Sequence, residues 1–174
     1  MHFSNPQMHV LQMALAPGAV VADIGAGGGH HSFALHHVVA PNGRVYAIDI
    51  QEDLLTRLWH EARRKKHHSI ETVWADVEDT LPIADNHFDA MILSNTLFQL
   101  ENKQKAIAEM KRTLKSGGKL LVVDWNESFN NLGPHEDAVV NAESAHALFT
   151  NAGFEKVKDC KTGPHHFAIL YTNT

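Results

Sequence analysis

The sequence predicts an α/β fold: an open, mostly parallel β-sheet doubly wound with helices on both faces. Three observations carry that prediction. Short apolar runs alternate with helix-length patterns along the 174-residue chain, as in consecutive βαβ units. The runs are continuously apolar, the pattern of strands covered on both sides. A glycine-rich turn, GAGGG at residues 25–29, joins the first strand to a helix, where such sheets receive a ligand.

The elements follow in order. A short helix over Pro6–Leu15 precedes the turn signal Pro17–Gly18. AVVADI forms the first strand, and HHSFALHHVVA a helix that ends before Pro41 and Gly43. RVYAIDI is the second strand. EDLLTRLWHEARRKKH is a helix with acids at its start and bases at its end, matching the helix dipole. IETVWA and FDAMILS are the third and fourth strands. NKQKAIAEMKRTL is an amphipathic helix closed by Lys115–Gly118, and KLLVVDW is the fifth strand. AESAHALFTNAGF is a helix capped by Gly153; EKVKDCKT and HHFAILYT then read as two antiparallel strands joined by a tight turn at Gly163–Pro164. The long irregular stretch Asn126–Asn141 follows the fifth strand on the ligand side and is the expected lid.

Bulk properties narrow the function. Residues 1–174 fit one domain able to bury a full core without disulfides. The formal charge of −5 argues against a nucleic-acid partner. The basic run RRKKHH at 63–68 reads as the solvated end of a helix. A single cysteine, Cys160, allows no internal disulfide and no cysteine metal site. No apolar run approaches membrane-spanning length, and MHFSNPQMHV lacks a signal-peptide core. The expectation is a cytoplasmic protein, with monomer and homodimer both open.

The glycine loop has several possible ligands. It lacks the lysine–hydroxyl pair of a phosphate-cradling loop. The dinucleotide pattern G-x-G-x-x-G fits at Gly25 and Gly27 and fails at its third glycine, where His30 stands. The spacing is instead D-x-G-x-G-x-G, from Asp23 to Gly29. A carboxylate at that point repels a pyrophosphate and favours a cationic ligand. S-adenosylmethionine, with its sulfonium and α-ammonium groups, is such a ligand. Asp49 ends the second strand roughly 20 residues beyond the glycines, where an acid accepts ribose hydroxyls. Ile50 is placed to cover adenine, Asp76 to accept from its amine, and Val77 to lie against the ring.

At these motifs the chain resembles the class I S-adenosylmethionine-dependent methyltransferases. PGAVVADIGAGGG, GRVYAIDI, ADVEDTLPIADNHFDAMILSNTLFQL and LKSGGKLLVVDW are similar to successive family motifs in the family order. The likeness is strongest to the small-molecule branch of ubiquinone- and menaquinone-biosynthesis type. The resemblance implies a Rossmann-like sheet of seven strands with an antiparallel last strand. It also implies that Asp23, Gly25, Ala26, Gly27 and Gly29 border the methionine part of the cofactor. Asp49 and Ile50 would then hold ribose and adenine, Asp76 and Val77 the adenine edge, and Ser94 would offer its carbonyl near the methionine amine.

The acceptor side is less explicit. SNTLFQL lacks the Asn/Asp-Pro-Pro-aromatic signature of methyltransferases acting on nucleic-acid amines. Asn95, Thr96 and Phe98 are expected to line the acceptor pocket, with His30 at the loop beside them, and His135 is the candidate base. Relatives carry a basic residue shortly after Gly133–Pro134; here His135, Glu136 and Asp137 follow. The fourteen histidines include adjacent pairs but no H-x-x-x-H spacing, so no metal site is expected. An NAD(P)-dependent oxidoreductase on the same sheet and a non-catalytic S-adenosylmethionine-binding subunit are the alternative readings.

Overall fold

The computed structural model describes residues 5–130 and 132–174. Met1–Ser4, which begin the stretch without a signal core, and Asn131, inside the expected lid, lie outside the described residues. The chain runs α1 (Pro6–Gln12), β1 (Val20–Ile24), α2 (His30–Val39), β2 (Arg44–Asp49), α3 (Glu52–Arg64), β3 (Ile70–Trp74) and β4 (Phe88–Ser94). It continues with α4 (Lys103–Thr113), β5 (Leu114–Trp125), α5 (Ala142–Asn151), β6 (Phe154–Asp159) and β7 (His166–Asn173).

These strands form one seven-stranded sheet of order β3-β2-β1-β4-β5-β7-β6. β7 alone runs antiparallel to its neighbours, β5 and β6. The strand order reverses between β1 and β4, which pair in parallel from Val21↔Ala90 to Ile24↔Leu93. The carboxyl ends of those two strands therefore open a crevice at the middle of the sheet.

Strand residues alternate between two cores because the side-chain period is two. Ala22, Ile24, Met91, Leu93, Leu120 and Val122 face one, where Met110 of α4 and Phe149 of α5 cover them. Val21, Ala90, Ile92, Leu121 and Val123 face the other, under Val10 of α1, Leu35 of α2 and Leu55 and Leu58 of α3. Both faces are thus dry, which explains the unbroken apolar runs. Asparagine side chains start three helices: Asn5, Asn102 and Asn141 each accept a backbone N–H from the first turn that follows.

Several boundaries differ from expectation. α1 stops at Gln12 rather than Leu15, and α3 at Arg64, with Lys66 in the left-handed region. β5 starts at Leu114, yet Lys115–Gly118 still act as an insertion. The register jumps from Phe88↔Leu114 to Ala90↔Lys119, and Gly117 takes φ +74°. The β6–β7 connection is not a tight turn at Gly163–Pro164 but spans the six residues between Asp159 and His166. β6 is an exposed edge broken by a register shift at Lys156/Lys158, a charged and irregular edge that discourages pairing with other chains.

Candidate functional site

A cavity of about 990 Å³ lies beyond the carboxyl ends of β1, β2 and β4. It is at the upper end of the roughly 300–1,000 Å³ typical of ligand pockets. The expected residues Asp23, Gly25, Ala26, Gly27, His30, Asp49, Ile50, Asp76, Val77, Ser94, Asn95 and Thr96 all line it. Four acids (Asp23, Asp49, Asp76 and Glu78) face one lysine, Lys65, across this lining. Such a balance disfavours a pyrophosphate and suits a cation.

Asp23, one residue before the end of β1, is almost fully buried, at 2% exposure. Its Oδ2 accepts from Ser32 Oγ at 2.6 Å, which ties the start of α2 to β1. Burial, only partly offset by the bonds from Ser32, pushes its carboxyl up to about 6, with the Asp49 carboxylate adding to the rise. Asp49 organises the glycine turn. Its Oδ2 accepts from Gly27 N at 2.7 Å and its Oδ1 from Gln51 N at 2.8 Å. Each oxygen keeps a second lone pair, the acceptors a pair of ribose hydroxyls needs.

The glycines divide the work. Gly25 has φ +69°, and a Cβ there would stand 2.2 Å from Thr96 Oγ1, so the turn closes directly against the end of β4. At Gly27, φ is +50° and a Cβ would meet nothing within 4 Å; this is the open face for a ligand. Gly29 does not line the cavity. It caps α2 in the left-handed region, and a Cβ would come within 2.6 Å of Leu58 Cδ1, so it serves the packing of α2 on α3.

At the end of β4, Asn95 adopts φ +54° and Thr96 Oγ1 donates to Ser94 O at 3.1 Å. The Ser94 Oγ is buried without a hydrogen-bond partner among the described residues. Ser94 lines the cavity, as does Gly27 with its open face, and the space between the strand ends has room for a polar ligand such as S-adenosylmethionine. The following 3₁₀ turn, Leu97–Gln99, rotates successive side chains by about 120°. Leu97 enters the core and Gln99 reaches the cavity, while Phe98 stays half-buried outside it, contrary to expectation.

His135 is also displaced from its expected role. Its side chain is 82% exposed, accepts the Asp137 N–H at 3.5 Å, and lies outside the cavity lining. None of the described residues of Asn126–Asn141 lines the cavity. Gly133 packs against Trp125, where a Cβ would come within 2.5 Å of the indole, and Asn126 Oδ1 accepts from Ala142 N at the start of α5.

Three features were not anticipated. Asn5, Pro6 and Gln7 bring the start of α1 over the cavity. Beneath them, His9 Nδ1 and His31 Nε2 share a hydrogen bond of 3.1 Å, and His9 Nε2 lies 3.1 Å from Thr162 Oγ1. Burial first, then neighbouring histidines, push these rings down to about 4 and about 3, so both are neutral at physiological pH. Asp124, 1% exposed, holds the turn after β4: Oδ2 accepts from Leu97 N and Oδ1 from Trp125 N, both at 2.8 Å. The readable signal for Asp124 was an acid ending an otherwise apolar strand.

A sheet of this order, with a glycine turn and two strand-end acids around a cavity at its switch point, defines a class I S-adenosylmethionine-dependent methyltransferase fold. The chain belongs to the methyltransferase domain family, whose model matches residues 15–162. It is 32% identical over 127 residues to the ubiquinone/menaquinone biosynthesis C-methyltransferase UbiE of Cupriavidus necator, covering 73% of this chain and 51% of that one. Against the same enzyme of Shewanella piezotolerans it is 35% identical over 113 residues, covering 64% and 44%. The chain thus spans about half the length of the curated relatives it matches. Among solved structures, a SAM-dependent methyltransferase from Aquifex aeolicus shares the fold at a TM-score of 0.91 and 24% identity, over 99% of this chain and 91% of that one. The [4+2]-cyclase SpnF shares it at 0.77 and 22% identity, over 89% and 58%.

Proposed function

We propose that this chain is a single-domain enzyme that transfers the methyl group of S-adenosylmethionine to a small-molecule acceptor. The observation that carries the reading is the acid-lined cavity at the switch point, where Asp23 favours a positive ligand and Asp49 presents free lone pairs beside the Gly27 backbone. When bound, S-adenosylmethionine supplies a methyl group already activated on its sulfonium. The protein's remaining tasks are alignment of the acceptor and exclusion of water.

Ser94, the Gly25–Gly27 backbone and Asp23 would border the methionine portion; Asp49, Ile50, Asp76 and Val77 would hold the nucleoside. Asn95, Thr96 and Gln99 would meet the acceptor. His166, rather than the exposed His135, reaches the Asn95 side chain. Its Nε2 lies 3.1 Å from Asn95 Oδ1 and its Nδ1 3.1 Å from Pro164 O, both of them acceptors. Burial lowers its pKa, and the neutral ring, with one N–H, donates to one of these two oxygens at a time, to Asn95 Oδ1 when the proton is on Nε2. The net negative charge argues for a small, non-nucleic-acid acceptor. No described helix is long and apolar enough to cross a membrane.

The SpnF likeness shows that this fold also hosts other chemistry, so the reaction needs its own test. Incubating the chain with methyl-labelled S-adenosylmethionine and a cell extract should move label into a small-molecule fraction. Binding without transfer would favour the non-catalytic reading, and binding of NAD in its place would favour the oxidoreductase.

A further inference from the structure

Outside the cavity, the structure gathers histidines that are far apart in sequence. His36 and His37 lie in the last turn of α2, and His67 enters from the turn after α3. Each offers a ring nitrogen, and the three nitrogens lie within 4.8 Å of one another. We propose that His36, His37 and His67 bind a divalent first-row transition-metal ion of the zinc type. Adjacent helical residues diverge by about 100°, which hid the site from spacing alone. The third ring enters from another element and meets both.

Two details point to a ligand rather than to packing. The Nδ1 of His67 is buried and has no hydrogen-bond partner among the described residues. The Nδ1 of His36 lies 2.5 Å from Ser69 Oγ. A ring that donates there carries its lone pair on Nε2, with its orientation fixed from behind as in metal-binding histidines. An all-imidazole set without carboxylates suits zinc, nickel or copper and not magnesium or calcium.

The arrangement is open relative to a loaded site. Zinc–nitrogen bonds of about 2.0–2.1 Å place tetrahedral ligands roughly 3.4 Å apart. The nitrogens must therefore draw together by up to about 1.4 Å. The exposed ring of His37 is free to swing, and the His36 and His67 rings, stacked with centroids 4.0 Å apart, must turn toward a common point. Solvent at His37 would complete the fourth position. The ammonium of Lys65 lies over the Phe33 ring at 4.6 Å, and Phe33 meets His67 edge-on at 5.7 Å. That nearby positive charge opposes a bound cation and weakens its hold. None of the three histidines lines the methyl-donor cavity.

The test uses the full chain without a histidine tag, stripped with chelator and titrated with Zn²⁺ by calorimetry. Co²⁺ serves as a visible-absorption probe of imidazole coordination. One equivalent should bind saturably. His37→Ala, at an exposed position, should weaken it by about tenfold or more with an unchanged circular dichroism spectrum. His67→Gln should do the same. Absence of saturable binding by the parent chain would overturn the proposal. So would equal stoichiometry and affinity in His37→Ala, which would place the ion on others of the fourteen histidines.

Discussion

Asp23→Asn should move binding and stability in opposite directions. In the ligand-free chain the Asp23 carboxyl is pushed up to about 6 by burial, and a cation at the site needs its ionised form. The fraction ionised is nearly complete at pH 8 and about one in eleven at pH 5. Affinity for S-adenosylmethionine should therefore fall about tenfold from pH 8 to pH 5, with close to one proton released per ligand bound at the lower pH. Removing the charge should cost about 2 kcal/mol at pH 8, the scale of a bond to a charged group, or roughly thirtyfold. At pH 5 that gap should narrow to about threefold.

Stability runs the other way. A folded-state pKa raised from 3.8 to about 6 leaves stability intact below 3.8 and erodes it as pH climbs through 6, by up to about 3 kcal/mol. Asp23→Asn should thus raise the Tm of the ligand-free chain at pH 8. Calorimetry in buffers of different ionisation enthalpy, with thermal melts beside it, reads both quantities. An affinity flat across pH and unchanged in the variant would refute the argument.

Gly25→Ala should be severe, because it combines a left-handed φ costing about 1–2 kcal/mol with a clash against Thr96; binding of S-adenosylmethionine, followed by calorimetry, should be lost before the fold is. Asp124→Ala strips acceptors from the Leu97 and Trp125 amides, at a cost of about 2–6 kcal/mol for two orphaned donors. It also removes a carboxyl that burial pushes up to about 6, so urea melts should show a larger loss at pH 5 than at pH 8. His9 and His31, held down at about 4 and about 3, resist protons that the unfolded chain accepts below about 6.5. They therefore cost stability progressively as pH falls from 6.5 toward 3. His31→Gln should shrink the drop in Tm between pH 7 and pH 5, and an unaltered drop would show that this pair does not govern it.

Much of the fold was legible because period and covering agree: AVVADI and KLLVVDW are dry on both sides, and the structure buries them so. Asp23, Asp49 and the glycines were legible because each lies near the end of a strand or in a turn. What was missed depends on contacts between elements. Asp124 lies near the end of its strand like the others, but its value lies in the turn after β4 that it holds. The entry of α1 over the cavity follows from His9 meeting His31, twenty-two residues apart. His135 misled because a histidine after Gly-Pro reads alike whether its loop covers a cavity or, as here, packs on Trp125. Lys115–Gly118, expected to close α4, is instead absorbed into β5 as an insertion, since Leu114 still pairs with Phe88.

The most direct measurement is a crystal structure of the chain with S-adenosylhomocysteine. The ribose hydroxyls should lie within hydrogen-bond distance of Asp49, adenine against Ile50 and Val77, and the methionine ammonium between Asp23 and the end of β4 at Ser94. A ligand seated elsewhere, or one turned so that its ribose leaves Asp49 untouched, would contradict the assignment of this cavity.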